Sequence, residues 1–307
     1  MVLRPGTHRL RRAGEPVAQE EPAARVRVTP RAPRPGQFAE RHGDIVASAS
    51  ARGIIAPSSS ARRRADVLYE IAKPFVMAVV RAVWAPTLSG HENIPEQGPV
   101  VLASNHLTYA DTVFLPGQVR RSVHFLGKSD IFSGRSPIAR LAGAVMRGLH
   151  VMPVDRSGGG AARTAIQAGL EVLSRGDVLG IYPEGTRSPD GRLHRGKTGV
   201  ASFALAAEAP IVPVAMIGAF EAQRGRKYFP RRRPRIHVEV GAPIDPAEVV
   251  ARHPGADEAT RLRAVTDEVM DRIAALSGQE RAPEYASDVK RRLRAEQAAA
   301  GTRRRRR

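Results

Sequence analysis

Residues 99–116 read PVVLASNHLTYADTVFLP, a short apolar run followed by a histidine and an aspartate five positions apart. Val100–Ala103 is predicted as a buried strand, Ser104–Ala110 as the loop leaving it, and Asp111 onward as the start of a helix. His106 then stands just past a strand end. Residues five apart on one ideal helix point about 140° away from each other, so the two side chains meet only if the histidine is on the loop. In that arrangement the carboxylate turns back to one ring nitrogen and fixes the tautomer. The other nitrogen becomes a stronger base, suited to drawing a proton from an alcohol. With nine histidines in 307 residues, about a third of one such spacing arises by chance. A loop histidine bonded to backbone, beside an aspartate capping a helix, explains the same residues without chemistry. The pair therefore takes its meaning from the motifs around it.

Outward from this stretch the chain alternates between strands and helices. Strands are predicted at Val123–Leu126, Val151–Val154, Val178–Tyr182, Ile211–Ile217 and Ile236–Val240, and helices at Pro137–Met146, Ala161–Ser174 and Gly199–Ala207. This is the α/β class, with a mainly parallel or mixed central sheet flanked by helices. Upstream, Val67, Leu68, Ile71, Phe75, Val79 and Val80 recur at helical spacing within Ala65–Val83. This N-terminal amphipathic helix either packs on the core or lies in a membrane interface, with Arg62–Arg64, Lys73 and Arg81 near the headgroups. Residues 257–276 form a second amphipathic helix, with Leu262, Val265, Val269, Ile273 and Leu276 on one stripe. Residues 1–60 are rich in Arg, Pro, Ala, Gly and Ser without periodicity and read as a disordered basic leader. Residues 61–280 form the main domain. Residues 281–307 are a basic helical or disordered tail ending in Arg303–Arg307.

A 42% hydrophobic content fits a globular core. The absence of cysteine excludes disulfides, thiolate metal sites and cysteine nucleophiles. A formal charge of +19 predicts attraction to polyanions: nucleic acid, anionic headgroups or phosphorylated substrates. Against nucleic acid stand an aromatic content of 5% and no interleaving of arginine with aromatics. The N-terminus has no apolar segment of signal-peptide type. The most apolar long segment, Phe75–Leu88, is interrupted by Arg81 and falls short of the roughly 20 residues of a spanning helix. The arginine tail suits an anionic membrane surface, at about 1 kcal/mol per basic residue near the headgroups.

Further chemistry clusters after other strands. Tyr182–Ser188, YPEGTRS, places Glu184, Gly185, Thr186 and Arg187 in succession. Gly185 permits close backbone approach, and the Arg187 guanidinium can hold a phosphate through two parallel hydrogen bonds. Arg156 follows the strand at Val151–Val154, and Lys128 follows Val123–Leu126. Three cations beyond three strands, on the side of His106, suggest an anion pocket. Gly191–Thr198, GRLHRGKT, satisfies the phosphate-loop pattern, but such a loop must leave a strand directly, and the nearest strand ends nine residues earlier. No G-x-S-x-G elbow is present, so a serine-hydrolase mechanism has no support.

In this order the motifs resemble those of the glycerolipid acyltransferase family that contains 1-acylglycerol-3-phosphate acyltransferases. The resemblance rests on Asn105–His106 with Asp111, Arg156 closing HVMPVDR, Glu184–Gly185–Thr186–Arg187 and the apolar-proline segment Ile211–Val214, supported by Lys128 and Lys197. It covers about residues 65–245. It implies that His106 removes the proton from an acceptor hydroxyl attacking an acyl thioester, with Asp111 orienting the imidazole. It further implies that Asn105, Lys128, Arg156, Glu184, Gly185, Thr186, Arg187 and Lys197 bind substrate. The acceptor would be a lysophospholipid such as 1-acyl-sn-glycerol 3-phosphate. Acyl-CoA or acyl carrier protein would be the co-substrate, with no cofactor and no metal. The protein would be cytoplasmic and peripherally attached to the inner face of the cell membrane. Two departures stand out: His150 and Pro153 occupy positions where the family's second motif commonly has a glycine and an aromatic or aliphatic residue. Another lyso-lipid acceptor is the alternative within the class, and a basic adaptor for nucleic acid or membrane the alternative outside it.

Overall fold

The apolar run after Pro99 is a strand buried at every position, because helices cover both faces of the sheet in which it lies. The computed structural model describes residues 73–74, 77–128, 150–154, 161–224 and 230–305. The basic leader, the helix expected at Pro137–Met146, most of Ala65–Val83 and Arg156 lie outside the described residues.

The strands in chain order are β1 (Thr87–Ser89), β2 (Val100–Ser104), β3 (Val123–Lys128), β4 (Val151–Val154), β5 (Val178–Ile181), β6 (Ile211–Ile217) and β7 (His237–Val240). The helices are α1 (Asp111–Gln118), α2 (Ala161–Ser174), α3 (Gly199–Ala206), α4 (Ala219–Gln223), α5 (Pro246–Ala251), α6 (Glu258–Ser277) and α7 (Ala286–Arg305), and residues 77–84 are also helical. One sheet runs β1-β7-β6-β2-β5-β3-β4. All its pairs are parallel except β6 with β7. The α/β expectation of a mainly parallel, mixed sheet with flanking helices is met.

Central position explains the composition of β2. Val100 and Leu102 join one core layer with Phe114, Leu115, Val212 and Val214. Val101 and Ala103, on the opposite face, pack with Leu170, Leu173, Val200, Phe203, Val265, Val269 and Ile273. Successive side chains alternate across the strand, so a strand covered on both faces must be apolar throughout. The α6 stripe is inward at Val265, Val269 and Ile273, and the helix is bounded by an Asp257 cap and by Gly278 in the left-handed conformation. In helix 77–84, Met77 and Val80 are buried in the first core layer while Val79 faces outward. Trp84 fixes the end of that helix, donating from Nε1 to the Pro230 carbonyl at 3.0 Å and meeting Phe114 edge-on. For these residues the core-packing reading holds.

Three elements escaped the sequence reading. β1 and α4 are too short, at three and five residues, to show a period. α5 carried a readable start signal, Asp245 as N-cap with Pro246 behind it. α7 turns much of the basic tail into helix.

Candidate active site

The loop leaving β2 is folded around one carboxylate. Asp111, fully buried, opens α1. Its Oδ2 accepts from the backbone N–H groups of Leu107 and Thr108, each at 2.7 Å, and from His106 Nδ1 at 3.1 Å. Its Oδ1 accepts from the Thr108 hydroxyl at 2.6 Å. The carboxylate therefore sets the loop backbone and the imidazole together. With Nδ1 donating to Asp111, Nε2 of His106 carries the lone pair. The His106 side chain is 16% exposed, enough to meet a substrate while mostly shielded from water.

The imidazole has a floor. Its ring stacks on Tyr182 with centroids 3.9 Å apart, and Tyr182 stacks in turn on Phe125 at 5.2 Å. Burial pushes His106 below its ordinary value. The Asp111 hydrogen bond and charge oppose this, and the positive charges of Arg187 and Lys290 add to it. At neutral pH the imidazole is consequently held neutral, in its basic form.

Glu184 and Asn105 build the frame. Glu184, 1% exposed, accepts from the His106 backbone N–H through Oε2 at 3.2 Å and from that of His194 through Oε1 at 2.9 Å. The Ser188 N–H donates to the His106 carbonyl at 2.7 Å. The loops after β2 and β5 are thus joined at His106 itself. Asn105, fully buried, grips β6 at both ends of its amide: Nδ2 donates to the Met216 carbonyl at 3.1 Å, and Oδ1 accepts from the Met216 N–H at 2.7 Å. Nδ2 also donates to Gln279 Oε1 at 2.6 Å. Both residues were expected to bind substrate, yet their polar atoms are engaged by the protein. Asn105→Ala is expected to cost about 2–4 kcal/mol, because it strands a buried N–H and a buried carbonyl. Urea denaturation of the variant checks this.

Burial pushes Glu184 up to about 7, the two backbone hydrogen bonds and Lys290 opposing the rise. Between the ordinary carboxyl value and about 7, the folded protein holds a proton there that the unfolded chain releases. The contribution of Glu184 to stability is thus greatest at low pH and declines as pH rises to about 7. Glu184→Gln is expected to remove that slope, as read from denaturation midpoints at pH 5 and pH 8.

Of the cationic residues expected from the sequence, Arg187 and Lys197 have described side chains, and both lie at the loop after β5. The Arg187 guanidinium lies 3.6 Å over the Tyr109 ring, beside the His106 loop. Gly185 has φ +70°, and a Cβ there would stand 3.2 Å from Cε of Lys197, so the lysine side chain runs over the glycine. The Lys197 N–H donates to the Pro183 carbonyl at 2.8 Å, folding Gly191–Thr198 back onto the loop after β5. That segment is a loop packed on the site and leaves no strand, as its rejection as a phosphate loop requires. Lys128 ends β3. Thr186 accepts from Nζ of Lys290 at 2.7 Å. Lys290, Gln279 and the stacking role of Tyr182 were not foreseen. Among the described residues no group of three or more histidine and acidic side chains could hold a metal.

Known proteins resemble the chain over the segment that carries these residues. The acyltransferase family model matches residues 85–217, which span β1 to β6 and contain every described site residue expected from the sequence. The 1-acyl-sn-glycerol-3-phosphate acyltransferase of Bacillus subtilis is 29% identical over 187 residues, 60% of this chain and 84% of that protein. The chloroplastic protein of that name from Brassica napus is 28% identical over 158 residues, 51% of this chain but only 44% of its own length. In fold, the crystal structure of the 1-acyl-sn-glycerophosphate acyltransferase of Thermotoga maritima superposes with a TM-score of 0.50 at 23% identity, covering 78% of this chain and 93% of that one. Over residues 85–217, which hold the His106–Asp111 pair after β2 and Arg187 on the loop after β5, the chain is similar to the acyltransferase family and to proteins named 1-acyl-sn-glycerol-3-phosphate acyltransferase.

Proposed function

We propose that the protein transfers a fatty acyl group from a thioester to the free hydroxyl of 1-acyl-sn-glycerol 3-phosphate, giving phosphatidate in phospholipid biosynthesis. The observation that carries this reading is the His106–Asp111 pair beside Arg187, a neutral base next to an anion site, in a chain whose relatives bear that activity in their names. Nε2 of His106 takes the hydroxyl proton as the oxygen attacks the thioester carbonyl. The thiolate then leaves and recovers the proton from the imidazolium. Asp111 orients the ring and stabilises its transient charge. Arg187, Thr186 and Gly185 hold the acceptor phosphate together with Lys197, Lys128 and Arg156. Glu184 and Asn105 act as positioning residues that hold the His106 backbone.

The donor is acyl-CoA or acyl carrier protein, both anionic and drawn to a chain of net charge +19. No helix among the described residues is long and apolar enough to cross a membrane. Access to a lipid acceptor then comes from peripheral attachment to the inner face of the cell membrane through the basic ends. Binding to anionic vesicles should weaken between 0.05 and 0.5 M salt, as screening of surface charge requires, roughly a threefold shortening of the Debye length. Cosedimentation measures it.

The decisive experiment is transfer from labelled acyl-CoA or acyl carrier protein to a panel of lyso-acceptors. Transfer to lysophosphatidate in preference to the others is the expected result. Preference for another lyso-lipid keeps the reaction and replaces the substrate, and no transfer from either donor overturns the proposal.

A further inference from the structure

The segment after α6 is laced onto the candidate site along its whole length. Gln279 links Asn105 to the Gly191 carbonyl, accepting from one and donating to the other. Residues 280–284 then run beside 193–195 like a short extra strand. The Leu193 N–H donates to the Glu280 carbonyl at 2.9 Å, Ala282 N–H to the Leu193 carbonyl at 2.8 Å, and Arg195 N–H to the Glu284 carbonyl at 3.0 Å. Ala286 and Val289, both buried, seat the first turns of α7. This places Lys290, half-buried, with its ammonium on the hydroxyl of Thr186, the residue next to Arg187. Its charge is felt at both Glu184 and His106. All of this lies beyond residue 217, where the family match ends.

We propose that Lys290 is a binding residue for the acceptor's phosphate monoester, forming with Arg187 a two-cation clamp beside His106; the inference rests on the lysophosphatidate reading above. An ammonium has three N–H donors, so a hold on Thr186 and a contact to a phosphate oxygen coexist. The Thr186 hydroxyl fixes the direction of the flexible lysine stem, and the planar Arg187 guanidinium rests on Tyr109. A doubly charged phosphate is matched by two such cations, one on the loop after β5 and one in the first turns of α7. Thr186, besides lining the phosphate site, thereby positions Lys290.

The test compares steady-state kinetics of wild type, Lys290→Gln and Lys290→Arg with lysophosphatidate, with both donor types offered. The expected result for Lys290→Gln is a KM for lysophosphatidate raised about tenfold or more, the scale of one charge-assisted hydrogen bond, with kcat within about twofold. The KM of the donor should not change. Lys290→Arg should recover most of the loss. An unchanged acceptor KM overturns the inference. A fall in kcat at constant KM also overturns it, because Lys290 would then be only a latch for the loop. A rise confined to the donor KM overturns it in favour of a thioester-side phosphate contact. Failure of the underlying reading looks different: wild type itself would then prefer an acceptor without a phosphate monoester.

Discussion

Replacing His106 with alanine is expected to lower acyl transfer by about 10³–10⁴-fold, the upper range for loss of a positioned general base, while the protein stays folded. The second half of that expectation follows from the contacts. The His106 backbone, which the alanine keeps, donates to Glu184 and accepts from Ser188. Asp111 loses one hydrogen bond and retains those from Leu107, Thr108 and the Thr108 hydroxyl. Circular dichroism and a denaturation midpoint close to wild type, beside the loss of activity, are the outcome sought. An active variant would remove the base from the mechanism. The pH profile of wild type tests the same group without mutation. Burial lowers the His106 pKa, and the reaction needs the neutral ring. The rate should therefore be on its plateau at neutral pH and fall only as pH drops through a value below that of an ordinary histidine.

Asp111→Asn is the second large effect, with kcat expected to fall about 100-fold or more and stability nearly preserved. An asparagine oxygen in the Oδ2 position still accepts from Leu107, Thr108 and Nδ1 of His106. Its amide donates to the Thr108 hydroxyl, which accepts as readily as it donates. What vanishes is the negative charge that stabilises the imidazolium. Because Asp111 raises the His106 pKa, the acid limb of the pH profile should move to lower pH as the plateau drops. A purely structural carboxylate would leave that limb in place. Asp111→Ala, by contrast, strands two buried backbone N–H groups and is expected to unfold at distinctly lower denaturant than Asp111→Asn.

The sheet and the His106 pair were legible because both are local. An apolar run of four to seven residues between turns gives β2, β4 and β6 nearly to the residue, and a pair five apart falls on one loop and the helix after it. The roles of Asn105 and Glu184 were less legible. A polar residue beside a candidate base reads as a ligand for substrate, and only the fold shows that Met216, 111 positions away, takes up the Asn105 amide. Tyr182 belonged to a quoted motif, but stacking under His106 requires knowing that β5 neighbours β2. Lys290 had no signal at all: it is one basic residue in a run of them, and its partner Thr186 lies 104 positions back. Distance along the chain, more than chemistry, separates the residues that were found from those that were missed.

The order in which the parts of the site leave the ribosome follows from the same topology. β2, which leads into the His106 loop, is made early but pairs with β5 and β6 on its two sides, so it has no strand partner until residue 181 has been synthesised and lacks the second until residue 217. Gln279 and Lys290 come later than every strand. A nascent chain halted at the end of α6 would own a finished sheet and a histidine already beside its aspartate, yet lack Lys290 and the glutamine that braces Asn105. On the proposed role of Lys290, the grip on the acceptor is thus completed after the sheet rather than with it, and a chain released too soon would carry the pair and hold its acceptor weakly.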